Sequence, residues 1–232
     1  MAAASENGPF VHAWRASEQR LRFGLLLVAI LSVFGIQGIA TPAVWEQVAV
    51  AALLAATFLL SLRIARVRPV VYRWAFFVVI ALLGVSIAEA IAGSTDNAAT
   101  RVVNAMLVAL APPAIIVGVV RSLRARQTVT VEAVLGVLSV YVLSGMFFAA
   151  LYGTIDHIGS GSFFTQTSTA TVSQCLYFSF TTLTTVGYGD LTASSNLGHT
   201  LAVSEALIGQ VYLVTVVSVI VANLGRRRRP AT

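Results

Sequence analysis

The residues best placed to do chemistry are Thr184, Thr185, Val186, Gly187, Tyr188, Gly189 and Asp190. The spacing offers backbone chemistry more than side-chain chemistry. Two glycines one residue apart let a segment reach dihedrals closed to other residues and point its carbonyl oxygens inward. Four such segments around one axis would stack rings of oxygens, each able to replace the water shell of a dehydrated cation. Thr185 would supply a carbonyl and a hydroxyl, and Val186, Gly187, Tyr188 and Gly189 carbonyls or permissive turns. A Cβ added at Gly187 is expected to find no room. No Ser/His/Asp set, metal-ligand cluster or phosphate-binding loop is visible in the chain, so no enzyme is expected.

Such a segment needs a scaffold, and the composition says which kind. The 232 residues are 57% hydrophobic and only 10% charged, with mean hydropathy +0.86. A soluble domain with so few charges would expose large apolar patches, so the class is all-α integral membrane protein. Apolar runs fall at 23–40, 44–64, 71–92, 102–120, 131–152 and 197–224, each near the roughly 20 residues that a bilayer core requires. The first run exceeds the apolar core of a signal peptide. Pro112 and Pro113 remove two backbone donors from the fourth run, which should kink there. Residues 93–97 read as a turn. Residues 153–170 are small and polar, too mixed for a helix in lipid. Thr171 and Gln174 have the spacing of a capping box, opening a helix of about twelve residues that reaches Leu183 and is too short to cross. Its negative end would face the 184–190 segment and favour a cation.

All 15 basic residues other than histidine are arginine. If the N-terminus is cytoplasmic, the groups at 15–22, 63–73, 121–126 and 226–229 all fall inside, and only Arg101 falls outside. That asymmetry supports an even number of crossings and hence both termini in the cytoplasm, and the expected location is the cell membrane. The pI near 10.2 reflects this topology, and no basic face interleaved with aromatics points to nucleic acid. Single Cys175 excludes an intrachain disulfide. The chain divides into an N-terminal segment 1–22, a four-helix domain 23–120, a basic connector 121–130, a two-span domain 131–225 and a basic tail 226–232.

The order of span, polar turret, short helix, glycine segment and span over 131–225 resembles the pore domain of the tetrameric potassium-channel superfamily. The run Leu176-Tyr177-Phe178-Ser179-Phe180-Thr181-Thr182-Leu183-Thr184-Thr185-Val186-Gly187-Tyr188-Gly189-Asp190 looks like its pore helix and selectivity filter together. The carbonyl-ring mechanism is the one known for filters of this T-V-G-Y-G type, whose letters recur here from Thr185 to Gly189. The resemblance implies a homotetramer with three further copies of the chain, conducting K+ through carbonyls of Thr185, Val186, Gly187 and Tyr188, with no other cofactor. It places Gly209 where the family has a gating-hinge glycine, 19 residues after Asp190. Tyr177 stands where many members have a tryptophan that bonds the aspartate after the filter. Thr181 occupies a position that carries an acid in some members.

Glu205 lies about eight residues into an apolar span and needs a partner. It is expected to brace the pore helix from behind, through Thr181 or Thr182. Gln210 could line the cavity below the filter or meet a neighbouring subunit. Glu89, His157 and His199 read as interface or surface groups. Arg226 to Arg229 would anchor the last helix at anionic lipid. Two rivals remain: a potassium transporter subunit, which would need four pore loops where one is visible, and a non-conducting or regulatory subunit. The first four spans match the family's voltage-sensing domain only in number, because 102–120 holds no charged residue. One charge crossing 100 mV is worth about 2.3 kcal/mol, so steep gating needs several. Open probability is therefore expected to change only weakly with potential. Conductance–voltage curves check this, and activation equivalent to several gating charges would refute it.

Overall fold

A computed structural model describes residues 9–39, 44–65, 67–92, 102, 106–110, 112, 113, 115–117, 131–159 and 161–226. Its described elements are helices: α1 (Pro9–Ile39), α2 (Val44–Ile64), α3 (Pro69–Ile91), α4 (Val131–Ile158), α5 (Val172–Leu183) and α6 (Asn196–Arg226), with helical residues also at 106–110, 112, 113 and 115–117. Among the described residues there is no strand, only an isolated bridge between Phe164 and Ala193. Three helices are long and apolar enough to cross a membrane, at Pro69–Ile91, Ala133–Ile158 and Asn196–Val216. Phe23–Ile39, Val48–Ile64 and Met106–Val117 are shorter apolar helices. Pro112 and Pro113 are helical, but their neighbours 111 and 114 lie outside the described residues, as do the turn at 93–97, the connector 121–130 and the tail 227–232.

The packing follows the apolar spacing. Phe23, Leu26, Ile30 and Val33 of α1 repeat every three or four residues and are buried, as are Val50, Leu54, Phe58 and Leu62 of α2. Helix α1 packs on α2, and α2 on α3. Thr57 and Ser61 are buried in this apolar setting, yet each hydroxyl donates to its own helix, to Leu53 O at 2.7 Å and Phe58 O at 2.7 Å. On α3 only Val79 and Ser86 are buried, so this helix turns most of its surface outward. Helices α4, α5 and α6 pack mutually, and α1 also touches both α4 and α5.

Helix α4 does not stop at Tyr152. It continues to Ile158, six residues into the stretch read as turret, because tertiary contacts supply what the polar sequence lacks. Tyr152 is fully buried among Phe148, Phe163 and Phe178. The Asp156 carboxylate accepts the Phe163 amide at 2.7 Å and the Ala170 amide at 2.8 Å. These bonds fold 161–170 back over the helix end, where Phe163 and Phe164 close the aromatic cluster. The same loop pins the segment after Asp190: Thr165 N donates to Thr192 O at 3.0 Å and Ser194 N to Phe163 O at 2.8 Å. Hydrogen bonds to a charged acceptor contribute about 1.5–3 kcal/mol each. Asp156→Ala is expected to lower stability by roughly 3 kcal/mol on that scale, with Asp156→Asn intermediate, read from thermal unfolding of detergent-solubilised protein.

Candidate functional site

Helix α5 is fixed at its start by the capping box that the sequence spells. Thr171 Oγ1 accepts the Gln174 amide at 3.2 Å, and Gln174 Oε1 accepts the Thr171 amide at 3.0 Å. The helix ends at Leu183 as expected. From there the backbone alternates in handedness: φ is +60° at Thr185, +52° at Gly187 and +80° at Gly189, while Val186 and Tyr188 stay on the negative side. Alternating left- and right-handed residues gather N–H groups on one side of a chain and so leave the carbonyls on the other. The first three of these donors are used internally. Thr185 N reaches Thr182 O at 2.9 Å, and both Val186 N and Gly187 N reach Thr181 O, at 2.8 and 3.0 Å. Among the described residues no hydrogen bond reaches a carbonyl of residues 185–189.

Gly187 needs its residue type for a reason other than the expected crowding. A Cβ built there meets nothing within 4 Å, and the obstacle is the left-handed φ itself. Thr185 adopts that region with a β-branched side chain, which is a strained arrangement that the surrounding bonds hold.

Tyr177 and Asp190 brace the loop on its outer side. The Tyr177 hydroxyl donates to Asp190 Oδ2 at 2.8 Å, and the Leu191 amide donates to Oδ1 at 3.1 Å. Tyrosine in place of tryptophan therefore keeps the link to the aspartate. The rings of Tyr177 and Tyr188 lie parallel, 6.2 Å apart. Helix α1 supports α5: Phe34 packs on Phe180 at 4.7 Å, and Ser173 donates to Gly38 O at 3.1 Å.

Behind α5, Glu205 is fully buried and does meet the helix, but not at Thr181 or Thr182. Its carboxyl accepts from Ser179 on α5 and from the Tyr152 hydroxyl on α4 at 2.6 Å. Ser179 Oγ also lies 2.6 Å from Gly145 O, so its one proton is shared between the two acceptors. Thr181 instead donates to Phe178 O within its own helix at 3.0 Å, and its carbonyl receives the loop amides. The correction is one of rotation: at about 100° per residue, Ser179 faces α6 when Thr181 faces well away. Close approach completes the joint. A Cβ on Gly209 would lie 2.3 Å from Leu183 O, and one on Gly145 would lie 2.8 Å from the Phe180 ring. Helix α6 runs unbroken through Gly209, so a glycine is required there by contact, whatever bending it permits. Gln210 is exposed and shares a face with Leu207, Val211 and Val214.

Tyr152, Tyr141, Tyr212 and Phe34 were not singled out from sequence. Tyr141 donates to Leu183 O at 3.3 Å, Tyr212 to Val137 O at 2.5 Å, and their rings stack at 5.7 Å. The available signal was a hydroxyl inside an apolar span, which needs a partner there.

Residues 136–226, under half of the chain, match the family model described as "Ion channel". No curated protein and no solved structure matches the chain.

Removing one member of a buried polar set strands the others, at about 1–3 kcal/mol each. Glu205→Ala should destabilise the protein by that amount at Tyr152, which loses its acceptor, and by less at Ser179, which keeps Gly145 O, with Glu205→Gln milder than Glu205→Ala. Adding Ser179→Ala and Tyr152→Phe to Glu205→Leu should recover part of the loss, because no unsatisfied group then remains. Thermal unfolding of the series checks the order. In the same assay Gly209→Ala should destabilise, since its Cβ pushes α6 off the end of α5.

Proposed function

We propose, from the match of residues 136–226 to the ion channel family model, that four copies assemble into a potassium-selective pore. The observation that carries this is the 184–190 loop, whose first four amides, Thr184 to Gly187, are bound back to α5 while the carbonyls of 185–189 are left without protein partners among the described residues. Oxygens in that condition, lined up by alternating φ, are suited to take over the hydration shell of a dehydrated ion. Thr185, Val186, Gly187, Tyr188 and Gly189 supply the coordinating backbone. Thr184, Asp190, Tyr177, Thr181 and Glu205 hold it in place.

Assembly is supported by what one chain leaves uncovered. Val186 and Tyr188 are 52% and 71% exposed, although they sit at the centre of the best-buttressed part of the fold. An open groove of about 420 Å³ runs beside them, along Phe34, Tyr177, Phe180 and Thr184. Val203, Leu207, Val211 and Val214 form an exposed apolar stripe on α6. One loop per chain makes a quarter of a ring, and three further copies close it around an axis lined by α6. In that assembly Gln210 faces the axis or a neighbour, and Gly209 lies where α6 would bend to open the pore. The protein sits in the cell membrane with both termini in the cytoplasm, and the arginines at 226–229 hold the end of α6 against anionic lipid.

In bilayers containing purified protein, reversal potentials under opposed K+ and Na+ gradients should follow K+ alone. Gly187→Ala should abolish the current while a tetramer persists on sizing, because strain at one φ disorders the loop and not the helices. A sodium-selective wild-type current would overturn the selectivity. A folded tetramer that carries no current would favour the regulatory-subunit reading.

A further inference from the structure

From the turn between α2 and α3 we infer a binding site for an anionic phospholipid headgroup, distinct from the arginines at 226–229. The segment 47–88 holds four arginines, Arg63, Arg66, Arg68 and Arg73, and no acidic residue. The nearest acids along these helices are Glu46 and Glu89, at the far ends of α2 and α3. At 1.5 Å per residue they lie roughly 25 and 30 Å from the turn. No carboxylate on either helix can neutralise the cluster.

One of the arginines is held ready. Arg63 Nε donates to the Tyr72 hydroxyl at 3.0 Å, and its guanidinium carbon lies 5.5 Å from the centre of the Tyr72 ring. Tyr72 is itself half-buried against the core, so it fixes the guanidinium by one nitrogen and one face. The two terminal nitrogens of Arg63 make no hydrogen bond among the described residues. A planar fork with both terminal donors free and its position fixed suits bidentate binding of a phosphate. Arg68 and Arg73 are exposed on either side of Tyr72 in sequence.

The surroundings select a lipid over a soluble anion. Trp74, 69% exposed, follows Arg73, and Val70, Val71, Phe77 and Ile80 continue an exposed apolar surface along a helix long enough to cross a membrane. Exposed tryptophan beside arginine, at the end of such a helix, is the pattern of a headgroup boundary. There the phosphate would meet Arg63, Arg68 and Arg73 while the acyl chains lie on α3. Each basic group near a membrane surface contributes about 1 kcal/mol of attraction to anionic lipid, a factor of about five.

The test uses the full chain with Trp14→Phe and Trp45→Phe, which leaves Trp74 as the single tryptophan. Reconstituted into mixed vesicles, Trp74 should be quenched more by bromine-labelled phosphatidylglycerol than by bromine-labelled phosphatidylcholine. Each of Arg63→Gln, Arg68→Gln and Arg73→Gln should cut that preference several-fold, up to about fivefold, and substituting all four of 226–229 should leave it intact. Native mass spectrometry of phosphatidylglycerol retained by the otherwise unmodified protein and by the triple glutamine variant gives a second readout, with sizing elution as the folding control. Equal quenching by the two lipids, or unchanged retention in a folded triple variant, overturns the site. Loss of the preference on adding millimolar glycerol phosphate would make the soluble headgroup sufficient and overturn the lipid assignment.

Discussion

The structure is arranged around a backbone segment, 185–189, whose carbonyls have no protein partner among the described residues. Unsatisfied backbone groups away from water cost several kcal/mol each, so they persist only where something else will bind them. Between Thr185 and Gly189 the amides of Thr185, Val186 and Gly187 are bonded while, among the described residues, none of the carbonyls is, and the division is produced by alternating φ together with two carbonyls, Thr181 O and Thr182 O, at the end of α5. Moving α5 by about an ångström would break those amide bonds, and the carbonyls would find other partners. Most of the other specific contacts in 131–226 can be understood as holding α5 still.

That restraint comes from every side of the helix and uses different chemistry on each. The start is capped by Thr171 and Gln174, and Asp156 ties down the loop that leads into it. Toward α4 and α6 the helix meets the buried set of Tyr152, Ser179 and Glu205. Such a network stabilises only when complete, since low polarity strengthens each bond and equally penalises each vacancy. Toward α1 it meets the Phe34 ring and the Gly38 carbonyl, so the peripheral helices reach the loop by one layer of packing. At Gly145 and Gly209 the missing Cβ lets neighbouring helices come within contact of α5. Side chains set the orientation there, and absent side chains set the distance.

The exposed surface divides according to what would cover it. Helix α3 buries two residues and carries aromatic and branched side chains outward, which suits lipid. The stripe on α6 and the flank of the 184–190 loop are just as apolar but lie beside the most tightly held backbone, which suits another copy of the chain.

Sequence alone determined the features that neighbours along the chain enforce. Apolar run length located the helices, the Thr171–Gln174 spacing marked the start of α5, and the two glycines marked where φ turns positive, because capping, periodicity and dihedral access act over a few residues. It also announced that Glu205 would be buried with a partner on the helix behind the loop, since a carboxyl within an apolar run has no local remedy. Tertiary structure alone decided which partner. Ser179 and Thr181 are two residues apart and differ by more than half a turn of helix, so the choice rests on how α5 is rotated against α6, which no local pattern encodes. For the same reason the extension of α4 past Tyr152 and the contact that demands Gly209 were illegible in advance. Each is set by the distance between two helices whose separation is fixed by all the side chains between them.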